Sequence, residues 1–261
     1  TLETISNALF FNIFKKNAKN IIIISEKKNN FLFSISRKLN LHYIEHKSYI
    51  SGRYSVLSEV GLVPAFLMGL DINKLRSSLK KKFIVKVKNQ LKINTSILAN
   101  LIKNKKFSNL VLLNYAPNFE KFLFWYQQLI AESLGKQKMG LMPLISKAPK
   151  DHHSLLQLYL DGPKNNLFYI FSFDEKSKTK INAKRLDKKL NYLNNKSMYK
   201  IKDSQKKALI LTFKKRNIPF KEIIVKKRKE NSLSELFAYF ILETAIIGKM
   251  ININPFDQPA V

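Results

Sequence analysis

Cysteine is absent from the 261-residue chain. Its absence excludes disulfides, thiolate nucleophiles and Cys-ligated zinc, and makes a cytoplasmic protein the natural expectation. Long apolar runs are missing too. The longest nearly apolar stretch, Val60-Gly-Leu-Val-Pro-Ala-Phe-Leu-Met-Gly-Leu70, contains a proline and is too short to span a bilayer. The opening segment, Thr1 to Phe14, carries Glu3 and has no basic flank, so it does not read as a signal peptide. Acidic residues are scarce: 18 Asp and Glu against 47 Lys and Arg leave a formal charge of +29 and a pI near 10.1. No internal repeat of about 20–50 residues is evident. What remains is globular composition. Hydrophobic residues form 45% of the chain, enough for a sizeable core, and the length suits one large domain or two small ones.

A pI this high ordinarily points to nucleic acid. Three features argue against that partner. Only six of the basic residues are arginine (37, 53, 76, 185, 216 and 228), and arginine's fork is what base and phosphate recognition favours. The 41 lysines are scattered in twos and threes, such as Lys80-Lys81-Lys82, without one long tract. Asn, Ile and Phe are abundant beside Lys, the set that AT-rich codons favour. Solvated surface lysines, their stems lying along apolar surface, are the simpler reading, with neither nucleic acid nor membrane as partner.

Hydrophobic patterning alternates between strand and helix. Ile21-Ile-Ile-Ile-Ser25 reads as a buried parallel strand, 29–39 as a helix, 41–46 as a second strand and 54–70 as a second helix, together a βαβ unit. A lysine-rich zone, 71–106, has helical patterns and no strand. Beyond it, strands are predicted at 109–114, 140–145, 167–173 and 220–225, and helices at 119–134, 153–160, 204–216 and 233–247. The expected organisation is 1–70, a helical connector over 71–106, and a second α/β domain over 107–261 with a C-terminal helix and tail. The fold class is α/β, parallel sheets flanked by helices.

Three places could carry chemistry. Gln127-Gln-Leu-Ile-Ala-Glu-Ser-Leu-Gly-Lys136 ends a helix, with Gly135 suited to the C′ position. A carboxylate there meets the negative end of the helix dipole, which suits a general base. From spacing alone, Glu132 as an ordinary surface glutamate beside a cap is the simpler reading. His152-His153 opens the next helix; adjacent helical positions point about 100° apart, so the two cannot share a metal, and at most one transfers protons. His42 and His46 have no clustered carboxylate, so no metal site is expected. Ser51-Gly-Arg-Tyr-Ser55 lies between a strand and a helix, where Gly52 permits a tight turn whose backbone, with Arg53, stands at the ligand-binding carboxyl edge of a parallel sheet; a capped helix start is the alternative reading.

Taken in order, these segments resemble the glucose-6-phosphate isomerases. Ser51-Gly-Arg-Tyr-Ser55 with Gly61 is similar to that family's Gly-Gly-Arg-Tyr/Phe-Ser phrase, and 127–136 to its Gln-Gln…Glu-Ser-x-Gly-Lys. Asp151-His-His-Ser-Leu-Leu-Gln157 with Asp161-Gly-Pro163 resembles Gln-His-Ser-Leu-Leu-Gln…Gly-Pro, and Ile253-Asn-Pro-Phe-Asp-Gln-Pro-Ala-Val261 resembles Ile-Asn-Pro-Phe-Asp-Gln-Pro-Gly-Val. Thr1-Leu-Glu-Thr resembles the end of the family's phosphate loop.

The resemblance implies two sugar-isomerase (SIS) domains in a homodimer that interconverts glucose 6-phosphate and fructose 6-phosphate without cofactor or metal. By position, Glu132 would shuttle the proton between carbons 1 and 2 through a cis-enediol. Arg53 would stabilise the enediolate, and His153, donated by the neighbouring subunit, would assist ring opening. Thr1, Gln128, Gln258 and Gly52 would line the sugar-phosphate pocket, while His152 replaces a family glutamine. Ser51 and Ala260 stand where the family has glycine. The family's catalytic lysine lies past the Gln-Pro-x-Val phrase, and its Ser-Lys-Thr precedes the position of Thr1. The expectation is therefore a truncated isomerase with little or no turnover on its own. Dual use of mannose 6-phosphate, or a non-catalytic sugar-phosphate-binding module, stays open at this level.

Overall fold

The computed structural model describes residues 2–15, 20–174, 179–183 and 188–260. They form two compact units, Thr1–Arg76 and Ser77–Val261.

In the first unit, α1 (Leu2–Phe10) precedes a parallel pair, β1 (Ile22–Ser25) and β2 (His42–Glu45), registered Ile22 to His42 and joined through α2 (Phe31–Lys38). Asn30 caps α2, its Oδ1 accepting from the Phe33 amide at 2.9 Å. Ile21, Ile23 and Leu41 form a small core, against which Phe14, Leu32 and Ile35 pack. The single helix predicted over 54–70 is two elements: a 3-10 helix, Gly52–Leu57, and α3, Glu59–Leu67. Ser58 separates them. Its backbone is extended, its hydroxyl donates to the Ser55 carbonyl at 2.7 Å, and its oxygen caps the Val60 amide. Short hydroxyl side chains compete with helix in this way. A four-residue helix, α4 (Ile72–Leu75), ends the unit.

His46 ties the segment after β2 to α3. Both ring nitrogens face acceptors, Nδ1 the Glu59 carboxylate at 2.5 Å and Nε2 the Ile50 carbonyl at 2.8 Å. Burial is the largest single influence on the Glu59 carboxyl and would raise it, but the His46 hydrogen bond and charge together with backbone amides outweigh it and hold the group below its ordinary value of 4.5. A depressed carboxyl stabilises the fold above its ordinary value, and that contribution is lost as pH falls through the lowered one. Acidification below about pH 4.5 should therefore loosen β2 and α3, read as faster amide exchange there. The same loosening in His46→Ala, with unchanged pH dependence, would rule the pair out as its cause.

The second unit is built on four parallel strands in the order β4-β3-β5-β6: β3 (Asn109–Asn114), β4 (Met142–Lys147), β5 (Asn166–Phe173) and β6 (Phe220–Val225). The fold class is thus α/β with parallel sheets flanked by helices. Leu110 to Leu113 are at most 1% exposed, as a central strand covered on both faces requires. Alternate residues serve opposite faces. Val111, Leu113, Phe168 and Ile170 pack on α7 (His152–Asp161) and α8 (Met198–Lys215) through Tyr159, Leu209 and Phe213. Tyr169 and Phe171 meet Tyr126, Phe122 and Phe240 of α6 (Glu120–Leu134) and α9 (Glu230–Met250).

The compact units divide at Arg76–Ser77, so the segment expected as a connector over 71–106 does not stand apart. Its main element, α5 (Lys81–Lys103), belongs to the second unit and packs along α9, burying Phe83, Val87, Leu91, Leu98 and Ile102. Asn94 donates to the Tyr239 hydroxyl at 2.7 Å, and the Ser78 hydroxyl donates to the Ser234 carbonyl at 2.9 Å. β4 starts two residues later than the predicted 140, because Gly140 takes a left-handed turn at φ +107°. α8 starts six residues earlier than the predicted 204, where the Ser197 hydroxyl oxygen caps the Lys200 amide.

One buried ion pair crosses the α9 face. Lys221 meets Glu243 at 2.5 Å, with Glu243 1% exposed. The ammonium lies 4.8 Å from the Tyr169 ring centre and 4.7 Å from that of Tyr239. Tyr126 and Tyr239 donate to the two carboxylate oxygens.

Candidate active site

Glu132 occupies the last turn of α6. That helix is amphipathic: Phe122, Leu123, Tyr126, Leu129, Ile130, Ser133 and Leu134 are buried, at the 3–4-residue spacing of one face. Gln127 anchors the helix to the start of β4, its Nε2 donating to the Pro143 carbonyl at 2.8 Å. Gln128, one turn before Glu132, donates to Oε1 at 2.8 Å. Gln258, from the tail after α9, donates to Oε2 at 2.6 Å. The structure therefore brings together three of the sequence-predicted residues, one of them 126 positions from the carboxylate. Each carboxylate oxygen thus accepts from a side-chain amide.

The tail reaches Glu132 because two things fold it back. Gly248 leaves room for Pro255, whose Cβ would lie 2.9 Å from any Cβ at 248, and the Ile253 amide returns to the Gly248 carbonyl at 2.8 Å. Lys136, just past α6, then donates to the Asn254 carbonyl, the Asp257 carbonyl and the Asp257 carboxylate, each at 2.6 Å. Its ammonium holds the Asp257 carboxyl below the usual range. Lys136 had no role in the sequence reading, although it stands within the Gln-Gln…Gly-Lys phrase. Gly135 caps the helix at φ −77°, so the left-handed C′ geometry expected of it is not used.

His152 and His153 lie in different surroundings. His152 is half-buried, with Nε2 2.8 Å from the Tyr115 hydroxyl; burial depresses the imidazole, partly offset by Asp151. Burial also raises the Tyr115 phenol well above its usual range. His153 is exposed on the first turn of α7.

Glu132 and His153 do not share one end of the sheet. β3 runs toward its carboxyl edge, and the 15 residues of α6 carry the chain back about 22 Å, to the amino edge where β4 begins. β4 returns to the carboxyl edge before α7 starts at His152. A strand of this length separates the two groups by about 20 Å within one chain.

Arg53 and Gly52 lie in the first unit, in the 3-10 helix. Arg53 is 3% exposed, with its guanidinium 5.4 Å from the centre of the Tyr54 ring. The Ser55 hydroxyl donates to the Gly52 carbonyl at 2.7 Å. Nothing lies within 4 Å of a Cβ built on Gly52, so the tight turn expected there does not demand glycine. Gly61 does: a Cβ would fall 2.1 Å from the Val56 carbonyl oxygen, where α3 presses on the 3-10 helix. Thr1 lies outside the described residues. Among the described residues no three His, Asp or Glu side chains are grouped to hold a metal, and no helix is long and apolar enough to cross a membrane.

No protein-family model matches the chain. Curated proteins do. A probable glucose-6-phosphate isomerase of Methanococcus maripaludis is 33% identical, aligned over 100% of this chain and 60% of its own length. Glucose-6-phosphate isomerases of Methanocaldococcus jannaschii and Mycoplasmopsis pulmonis are 30% and 32% identical, over 91% and 98% of this chain and 57% and 61% of theirs. The chain thus spans about 60% of the length of these curated relatives. Among solved structures, a hypothetical protein from Thermus thermophilus superposes with TM-score 0.84 at 21% identity, over 100% of this chain and 66% of its own. A glucose-6-phosphate isomerase from Chlamydia trachomatis gives 0.75 at 17%, over 96% and 52%. These two likenesses speak for the fold. Identity of 30–33% over 91–100% of this chain makes it similar to glucose-6-phosphate isomerases across the part of their length that it spans.

Proposed function

We propose that these residues serve the reversible isomerisation of glucose 6-phosphate to fructose 6-phosphate. The observation that carries the reading is the Glu132 carboxylate, held by amides from Gln128 and Gln258. A base for aldose–ketose isomerisation must take the proton from carbon 2 and return it to carbon 1. A fixed carboxylate within reach of both carbons does this without changing place. The cis-enediol carries negative charge on its oxygens as it forms, and Arg53, by its place in the family phrase, stabilises that charge. Gln128, Gln258 and Gly52 line the sugar-phosphate pocket, and Thr1 contributes to phosphate binding; these roles rest on the resemblance. In this reading the first unit is the later part of one sugar-isomerase domain and the second unit is another.

His153 assists ring opening from the partner of a homodimer. The opposite-edge placement of Glu132 and His153 supports this, since one chain does not offer both to one sugar. Subunit complementation tests it. Glu132→Gln and His153→Ala are each expected to be inactive in the protein that carries these residues. Co-refolded in equal amounts, they should recover about a quarter of wild-type activity, because about half the dimers are mixed and each mixed dimer has one intact site of two. No recovery from well-mixed dimers would place both residues in the same chain's site and overturn the shared arrangement.

A further inference from the structure

The carboxyl edge of the second sheet holds a cleft that the isomerase reading leaves unused. After β3 the chain departs through Tyr115, Ala116 and Pro117 to α6 on one face; after β5 it departs through Phe173 toward α8 on the other. Adjacent parallel strands whose helices cover opposite faces leave a crevice beyond their carboxyl ends, the usual ligand position in open α/β sheets. A cavity of about 180 Å³ lies there.

Among the described residues three cations line it, Lys202, Lys206 and Arg228, beside the Asp203 carboxylate, and the Asp174 carboxylate lies 3.4 Å from the hydroxyl of Tyr199, another lining residue. Lys206 is accounted for: it is buried, 2.7 Å from Glu222 and 3.6 Å from Asp203, and it donates to the Ser172 hydroxyl at 3.0 Å. Asp203 is further engaged by Lys207 at 2.7 Å. Lys202 differs. Among the described residues it has no carboxylate partner, and burial together with the nearby Arg228 charge pushes its ammonium below the ordinary value. Arg228 lies with its guanidinium 4.8 Å from the centre of the Phe173 ring. Ala116, Phe173 and Met198 give the cavity an apolar wall beside these cations. Two like charges held at one cleft work against folding, and an anion seated between them removes that repulsion.

We propose that Lys202 and Arg228 clamp a phosphate group, making this cleft a second ligand site for a small phosphomonoester with a body of about three carbons. A cavity below the roughly 300 Å³ of ordinary cofactor pockets excludes a nucleotide. The site lies at the edge of the sheet opposite Glu132 and does not depend on the isomerase reading.

The test is titration of the 261-residue chain with inorganic phosphate and with glycerol 3-phosphate, by calorimetry and by thermal melting at low salt. Saturable binding of both is expected. Lys202→Met should weaken each at least about tenfold, as loss of one charge-assisted contact does. It should also raise the melting temperature without ligand, because it relieves the repulsion; Arg228→Gln should weaken binding similarly. A double change of exposed residues elsewhere, Lys80→Gln with Lys81→Gln, should leave binding unaltered. Non-saturating binding, or equal loss in the Lys80/Lys81 variant, would mean diffuse attraction to the basic surface and overturn the site. So would a lower melting temperature in unliganded Lys202→Met, which would make Lys202 a structural contact. Binding of inorganic phosphate without glycerol 3-phosphate would overturn the ester assignment.

Discussion

Glu132→Gln should lower isomerase turnover by at least about a thousandfold, within the range that a positioned general base supplies. The change keeps the size of the side chain and removes its ability to take a proton. It also replaces one accepting oxygen by an NH2 group that faces an amide donor from Gln128 or Gln258, so one of the two orienting contacts is lost. Neither amide is buried, so water satisfies the orphaned donor and the fold is expected to hold. KM should change much less than kcat, because a proton-transfer group acts mainly after binding. The measurement is coupled steady-state kinetics in the protein that carries these residues, with melting curves beside it. Turnover that survives at near wild-type kcat would remove Glu132 from the chemistry.

Glu243→Ala should cost about 3–5 kcal/mol of stability, the usual consequence of deleting one member of a buried ion pair. The Lys221 ammonium loses its carboxylate and keeps only the Tyr239 hydroxyl, while the hydroxyls of Tyr126 and Tyr239 lose the acceptor they share. Tyr126 is completely buried, and its phenol is already pushed far up by burial, then by the Glu243 charge, so ionisation offers it no escape. Glu243→Gln should cost less, since a carbonyl oxygen remains to accept one of the three bonds. Replacing both members, Lys221→Met with Glu243→Leu, should recover most of the loss, because the apolar aromatic surroundings then fit the side chains. Urea melts of the four proteins give the comparison. A Glu243→Ala variant within about 1 kcal/mol of wild type would show that the pair is hydrated and structurally idle.

Strand positions were legible in the sequence because strands are near-continuous apolar runs, and Ile21–Ile24 and Leu110–Leu113 are such runs; burial on both faces holds for the second and not for the first, where Ile22 is 41% exposed. Helices were legible where the 3.6-residue period was strong, as in α6. The split at Ser58 was not, since a serine inside an apolar run looks like any polar interruption until its hydroxyl is seen capping. Nor was the attachment of α5 to α9: Asn94 and Tyr239 are 145 positions apart, and no local pattern records such a pairing. At the site, the residue types were legible and the assembly was not. Spacing alone made Glu132 an ordinary glutamate, and only the folded tail supplies Gln258. The clip that holds this tail, Lys136, was hidden by the number of lysines around it. Gly52 was credited with a steric need that belongs to Gly61.

The helix α6 also limits how this sequence can change length. Gln127 is fixed to β4, Gln128 and Glu132 share one face, and Leu129, Ile130 and Leu134 are locked into the core. One residue inserted or deleted between 120 and 131 would turn everything after it by about 100° and shift it about 1.5 Å along the axis. The carboxylate would leave the tail, or the apolar face would leave the sheet. A change of length fits only outside this segment, such as in the turn at 137–141 past the Lys136 clip, where an added residue moves neither Glu132 nor its amides. α6 acts as a ruler: it sets the distance and the phase at which the Glu132 carboxylate meets a tail 126 positions further along the chain.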